Sequence, residues 1–379
     1  MKSLSIKLYW ATALLSIANV GHTLDYAGVQ LHGFASQGYF LSDGNNFYGD
    51  SQRGSSEFME AGINANWLAN NKLNVAGQLL TRDAGATDNG SVKIDYLFAD
   101  YKAIENELSG LGFRLGRVRN AYGFYNETRD VLVTRPSILM PQAIYYEGNG
   151  LRELLFSSDG AQLYSYWDDS ENSTSFSLTL GRNKSLSKDV IANILGGTSQ
   201  IVARGNLNYP LFAQLSHNIA GGRSRIALSM FDIGLEFDTN FQGASSLDLY
   251  ANGYVLSAQH NLQRWSFTGE YSLTTVKFEA GQLGSATTEI EASYLQAKYR
   301  ISPALSVHGR IEYSATPDRR NQTDTQHLMF GLKWSPTANW TVAADLYGMR
   351  GTSGIPEIDN AGQTNERTEL LALMLGYHF

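Results

Sequence analysis

Between Ala103 and Asn183 the chain carries seven arginines and no lysine. Six of them, Arg114, Arg117, Arg119, Arg129, Arg135 and Arg152, surround a stretch that also holds Glu127, Asp130, Glu147 and Glu153. A guanidinium stays ionised at any ordinary pH and presents a planar fork of donors. It can therefore hold a carboxylate or another anion in one orientation, which a lysine ammonium on its flexible stem does poorly. The chemistry open to such a set is electrostatic and positional. It can order charge along a surface, or it can tie a segment down through salt bridges and backbone carbonyls. For Arg129, Arg135 and Arg152 both readings stand.

Bond-making chemistry is poorly supplied. Cysteine is absent, so thiolate nucleophiles, thiolate metal sites and disulfides are excluded. Beyond residue 23 the histidines are His32, His217, His260, His308, His327 and His378, scattered without metal-ligand spacing. Ser216 and His217 are neighbours in an extended segment and so point to opposite faces, which removes the obvious nucleophile–base pair. The acidic pairs Asp168–Asp169 and Glu289–Glu291 read as turn and loop charges. Gly196-Gly197 and Gly221-Gly222 lack the strand–loop–helix setting of a phosphate cradle. The expectation is a protein with no enzymatic activity and no cofactor.

The elements that must position the charges are strands. In the last segment Leu371, Leu373, Leu375, Tyr377 and Phe379 recur at every second residue, and Phe379 ends the sequence. The same period of two marks sixteen segments. They lie near 29–41, 56–68, 72–83, 91–103, 111–119, 160–168, 173–183, 206–219, 224–238, 248–262, 264–279, 288–302, 305–316, 326–335, 340–350 and 367–379. Val307, Gly309, Ile311 and Tyr313 oppose His308, Arg310 and Glu312, so ionised residues occupy mid-strand positions on one face. Gaps after even-numbered segments are short. Most gaps after odd-numbered ones are longer: 42–55, 84–90, 120–159, 184–205, 239–247, 280–287, 317–325 and 351–366. Trp67, Tyr101, Trp167, Trp265, Trp334, Trp340 and Tyr377 cluster near the short turns, as an interfacial belt does. A soluble double sandwich would alternate too. The belt, the short and long gaps in alternation and strands of ~9–13 residues favour an all-β, sixteen-stranded antiparallel transmembrane barrel.

Residues 1–23 have the layout of a secretory signal peptide: Lys2 and Lys7, an apolar run from Leu8 to Val20, and small residues at Ala18 and Gly21. The barrel then occupies 24–379. Without Lys2 and Lys7 the remainder has 27 basic against 36 acidic residues, a net charge of −9, which argues against nucleic acid as a partner.

The gap 120–159 is the longest. A forty-residue connection without a role is rare. Its apolar residues, Ile138, Leu139, Met140, Ile144, Leu154, Leu155 and Phe156, suit an inward-folded third extracellular loop packed on the barrel wall better than a surface tip. Here the chain resembles the Gram-negative outer-membrane porins: an exported barrel ending in Phe, sixteen strands, Gly116-Arg117 closing the fifth strand, and a long third loop. In that family the loop enters the barrel and narrows the pore, with acidic loop residues facing wall arginines. This chain departs from the pattern in placing arginines on the loop itself.

The resemblance implies a water-filled diffusion channel for small hydrophilic solutes and ions. Its constriction would be drawn from Arg82, Arg114, Arg117, Arg119, Glu127, Arg129, Asp130, Arg135, Glu147, Arg152 and Glu153. Arg117 matches the family's wall position. Arg114 and Arg117 differ by an odd number, so both face the lumen only if a bulge or the strand end breaks the alternation. Lys298, Arg300, Arg310 and Glu312 would extend a charged lumen wall, or serve only as a solvated one. Opposed rows of charge set ion preference, and the arginines lean it towards anionic or zwitterionic solutes. The resemblance further implies a homotrimer in the cell outer membrane of a Gram-negative bacterium, in contact with lipid and lipopolysaccharide. A non-channel barrel acting as an adhesin or structural surface protein is the alternative.

Overall fold

The computed structural model describes residues 24–26, 28–148, 150–241, 244–317 and 324–379; the expected signal segment lies outside them. Apart from two short strands, Leu24–Tyr26 and Lys184–Ser185, the strands are β1 (Val29–Asp43), β2 (Ser55–Asn70), β3 (Leu73–Ala84), β4 (Asn89–Glu105), β5 (Ser109–Arg119), β6 (Ser157–Asp168), β7 (Ser173–Gly181) and β8 (Val202–Ile219). They continue with β9 (Ser224–Phe241), β10 (Ala244–Asn261), β11 (Trp265–Glu279), β12 (Ser285–Ser302), β13 (Leu305–Ala315), β14 (Thr325–Trp334), β15 (Trp340–Arg350) and β16 (Arg367–His378). Each pairs antiparallel with its chain neighbour. β16 returns to β1, with His378 opposite Phe34 and Glu369 opposite Asp43, and the barrel closes.

The period-two pattern produces a surface turned inside out. On β14 Leu328, Phe330 and Leu332 are exposed, while His327, Met329 and Lys333 between them are buried. On β9 Ile226, Leu228 and Met230 are exposed, and Ala227, Ser229 and Phe231 are buried. A continuous apolar outer face, with polar residues such as His327, Lys333 and Ser229 turned inward, is the arrangement of a barrel set in lipid. A soluble sandwich would show the reverse.

At one rim the connections have two to five residues, at 71–72, 106–108, 169–172, 220–223, 262–264, 303–304 and 335–339. The expected aromatics gather at this rim, where Trp340 meets Tyr377 at 4.9 Å and Trp265 meets Tyr299 at 4.7 Å between ring centroids, the rings tilted in both pairs. Beyond β16, Phe379 exchanges backbone hydrogen bonds with Gly33 of 3.0 and 3.2 Å. A Cβ at Gly33 would stand 2.6 Å from the Phe379 ring, so this glycine makes room for the terminal aromatic.

Three of the gaps expected to be long are short. Only 85–88 separate β3 from β4, 280–284 separate β11 from β12, and 242–243 separate β9 from β10. At the last of these the strands run on well past the expected ends. There pairing continues with polar residues on the outer face, Glu236 opposite Asp248 and Asp238 opposite Ser246, while Leu235, Phe237 and Leu247 stay buried on the other. The third connection ends at Phe156, because Ser157, Ser158 and Asp159 pair with Arg119, Val118 and Arg117. It contains two short helices, α1 (Gln142–Tyr145) and α2 (Leu151–Leu155). A third, α3 (Lys188–Leu195), lies between β7 and β8, where Ser187 accepts a hydrogen bond from the Val190 amide at its start.

Residues 120–156 take part in two buried apolar clusters. Tyr122, Ile144, Tyr145, Leu154 and Phe156 pack with Phe212, Phe231, Leu235 and Phe237. Leu132, Ile138 and Leu139 pack with Phe40, Phe58, Met329 and Tyr347. The first set of partners comes from β8 and β9, the second from β1, β2, β14 and β15.

Candidate functional site

Alternation along β3 buries Gln78, Leu80, Arg82 and Ala84 and leaves Leu79 exposed. Arg82 and Glu60 of β2 are direct register partners, and their side chains meet at 3.2 Å. Arg82 also reaches Glu147 at 2.7 Å and Asp88 at 3.9 Å. Glu60 takes a second cation, Arg135. Glu147 takes Arg129 and, at 3.0 Å, Arg152. Arg152 continues to Asp130 at 3.2 Å, which is held by Arg119 and by the Gln78 amide at 2.9 Å. Arg119 also binds Asp95 at 2.7 Å. At the outer edge Lys93 bridges Asp88 at 3.0 Å and Glu153 at 3.1 Å.

The result is one connected network of six cations and six carboxylates. Arg82, Lys93, Arg119, Arg129, Arg135 and Arg152 balance Glu60, Asp88, Asp95, Asp130, Glu147 and Glu153. Charges this buried persist only when paired and hydrogen-bonded. Burial opposes ionisation of Asp130, but Arg119 and Arg152 outweigh it and hold the carboxyl at about 2. Glu147 is likewise held well below the usual carboxylate range: burial raises it, and Arg129, Arg82 and Arg152 lower it further. Burial is the larger influence on Arg129, which falls to about 10 despite Glu147, and its guanidinium lies 3.4 Å from the centre of the Phe156 ring.

Across the barrel the same segment is bonded to other strands. The Gly123 amide donates to Ser229 Oγ at 3.0 Å and the Phe124 amide to Glu270 at 2.9 Å. Tyr145 and Tyr294 each give a 2.7 Å hydrogen bond to Glu270. The Ile138 amide donates to Asp345 at 2.7 Å and the Ala143 amide to Glu312 at 2.9 Å. Arg310 binds Glu312 at 2.7 Å, the Leu139 carbonyl at 3.1 Å and Ser137 Oγ. The Lys333 ammonium donates to the Leu132 carbonyl at 3.0 Å and also to that of Arg135.

The residues named from sequence thus fall into three groups. Arg82, Arg119, Arg129, Asp130, Arg135, Glu147, Arg152 and Glu153 come together in the network. Arg310 and Glu312 meet the same segment from β13. The others stand apart. Arg114 pairs with Asp100 at 3.0 Å and donates to Gln162 at 3.0 Å. Arg117 binds Asp159 at 3.2 Å and the Asp95 carbonyl at 3.1 Å, and its register partner on β4 is the outward-exposed Leu97. Glu127 is exposed, and its backbone carbonyl is what Arg119 contacts. Lys298 is opposite His308, and Arg300 donates to the Gln263 carbonyl at 2.6 Å by the short-turn rim.

The alternation does break near Arg117. Asp95 is an unpaired residue between Ile94 and Tyr96 on β4, a bulge against β3. Gly116 has φ +132°, and a Cβ there would stand 2.3 Å from the Leu97 carbonyl. The bulge turns Asp95 towards Arg119. Sequence reasoning missed the wall partners Glu60, Asp95, Asp100, Glu270, Asp345 and Lys333. Their signal was present as single ionised residues between apolar neighbours, as in Met59-Glu60-Ala61 and Ala344-Asp345-Leu346.

No family model and no curated protein sequence matches the chain. Solved structures do. The outer membrane channel DcaP of Acinetobacter baumannii is 14% identical, with 94% of this chain and 99% of that one covered and a TM-score of 0.60. OmpF of Salmonella typhi, in complex with daunomycin, is 14% identical over 93% and 97%, with a TM-score of 0.57. An anion-selective porin from Comamonas acidovorans is 11% identical over 93% and 99%, with a TM-score of 0.55. At these identities the likeness is one of fold, and it extends over nearly the whole of each chain. The protein described here has the closed sixteen-stranded fold of the Gram-negative outer-membrane porins.

Proposed function

We propose that the protein is an outer-membrane porin, a water-filled diffusion channel for small hydrophilic solutes and ions in which residues 120–156 lie in the lumen and form the constriction. One observation carries this reading. That single segment bonds to side chains of β2, β3, β9, β11, β13, β14 and β15, while the opposite face of those strands is apolar and exposed. A loop resting on the rim would reach only the strand ends. The proposed setting is the outer membrane, reached by way of a signal peptide at 1–23, and a trimer of the kind described for OmpT of Vibrio cholerae, a structure of the same fold. No catalytic step is proposed.

The lean towards anionic or zwitterionic solutes is retained, but for a different reason. Because the network is internally neutral, its arginines give little net field. Arg225, Lys298 and Arg300 make no ion pair among the described residues, and they follow the buried alternation of β9 and β12 on the lumen side. These three supply the positive excess. Planar-bilayer recordings test the proposal: deletion of 131–150 should raise single-channel conductance. Equal conductance would put the segment outside the pore, and a protein that never conducts would leave the adhesin or structural reading.

A further inference from the structure

On β5 the lumen-side positions are Gly110, Gly112, Arg114 and Gly116, while Leu111, Phe113 and Leu115 face outward. The glycines accommodate rings from the neighbouring strand. A Cβ at Gly110 would stand 2.2 Å from the Tyr166 ring, and one at Gly112 would stand 2.3 Å from that of Tyr164. These two tyrosines therefore lie flat against β5. The Arg114 guanidinium sits 4.7 Å from the centre of the Tyr164 ring and 5.2 Å from that of Phe98 on β4. Phe98, Tyr164 and Tyr166 are each only partly buried, and the Arg114 side chain keeps 30% of its surface. Together they form a ledge on the wall between the network and the short-turn rim. Beside it on β7 stand Ser175 and Ser177, the register partners of Tyr166 and Tyr164.

We infer that this ledge is a binding site for neutral saccharides on their way through the channel, an inference that rests on the channel reading above. Flat aromatic rings offer a face for the axial C–H groups of a pyranose. The polar edge of the ledge mixes donor and acceptor, since Arg114 is neutralised by Asp100, which also accepts from Tyr164 Oη at 2.7 Å. A free guanidinium would select an anion. A paired one beside a carboxylate matches hydroxyl groups, which both donate and accept.

The test uses full-length protein in planar bilayers, with cellobiose added on the short-turn side and sorbitol as an open-chain polyol without a ring face. Cellobiose should reduce the ion current and sorbitol should not. Tyr164→Ala with Tyr166→Ala should weaken the cellobiose response about two- to tenfold per ring. Gly112→Ala, which keeps both tyrosines but displaces one ring, should weaken it as well. Heat-modifiable gel mobility checks that each variant folds. Equal action of the two polyols, or a full response in the variants, overturns the inference while leaving a conducting porin intact. If the protein does not conduct, the channel reading fails instead. Saturation-transfer NMR with cellobiose on the detergent-solubilised protein then decides the ledge: transfer lost in the tyrosine variant supports it, and no transfer to the wild type refutes it.

Discussion

Arg82 of the wall and Glu147 of the 120–156 segment meet at 2.7 Å, with the Arg82 side chain 2% exposed. Arg82 touches carboxylates on both sides, Glu60 and Asp88 outside the segment and Glu147 within it. Replacing it leaves the network with one uncompensated negative charge in a buried place. Arg82→Ala should therefore cost about 3 kcal/mol in stability, read as a lower temperature for loss of heat-modifiable mobility. It should also loosen the segment and raise conductance. Arg82→Lys, which keeps the charge but loses the fork, should recover only part of both. Unchanged stability and conductance in Arg82→Ala would mean that the pairing does not hold the segment.

Acid should reach this network late. Asp130 is held at about 2 and Glu147 well below its ordinary value, against ~3.9 and ~4.3 for the free side chains. A depressed carboxyl contributes stability that is fully present above its unfolded value and is lost as pH falls through the folded one. Conductance should thus stay constant from pH 7 to pH 4 and change only as pH approaches 2. A midpoint near pH 4 to 5 would show that these carboxyls titrate as exposed groups do.

Much of this arrangement is legible in the sequence. The strands could be read because lipid on one side and polar residues on the other impose opposite demands on successive residues, as in Leu328, Met329 and Phe330. Where strands rise past the apolar band, as in Glu236 and Asp248, that demand lapses and the boundaries blur. Loop charges such as Asp130 and Glu147 were visible as a dense local group. The wall carboxylates that hold the same segment were not, because Glu60 is 75 residues from Arg135 and Asp345 is 207 from Ile138. Only the cross-strand register brings such pairs together. Glu60 and Arg82 are the instructive exception, since correct register of one hairpin would have paired them. Arg117 shows the converse: a local motif pointed to it, but its register sets it opposite Leu97.

That register separates two groups of cations by experiment. Each Arg→Ala or Lys→Ala change alters net charge by the same amount, so only position distinguishes their effects. Lys298→Ala with Arg300→Ala should shift the reversal potential in a salt gradient towards cations. Arg114→Ala should do likewise by freeing Asp100. Arg117→Ala alone should leave the potential unchanged. If Arg117→Ala shifts it as strongly as the β12 pair does, Arg117 faces the ion path and the assignment of unpaired wall cations as the source of selectivity is wrong.

The lipid-facing surface gives the last test, and it is independent of the pore. Leu346 is among the most exposed apolar residues, is centrally placed on β15, and has Phe330 and Leu371 as register partners on either side. Its neighbour Asp345 is fully buried on the other face, bonded to His308 at 3.1 Å and to the Ile138 amide. In a soluble protein an arginine at an exposed position such as 346 would be nearly neutral. In a bilayer the same change places a guanidinium at the hydrocarbon midplane, at a cost of about 2–4 kcal/mol. Leu346→Arg should therefore refold into lipid vesicles with a lower denaturant midpoint than the wild type, while in detergent micelles, where the head can reach water, the difference should shrink. Equal midpoints in vesicles would place the exposed apolar belt outside the membrane.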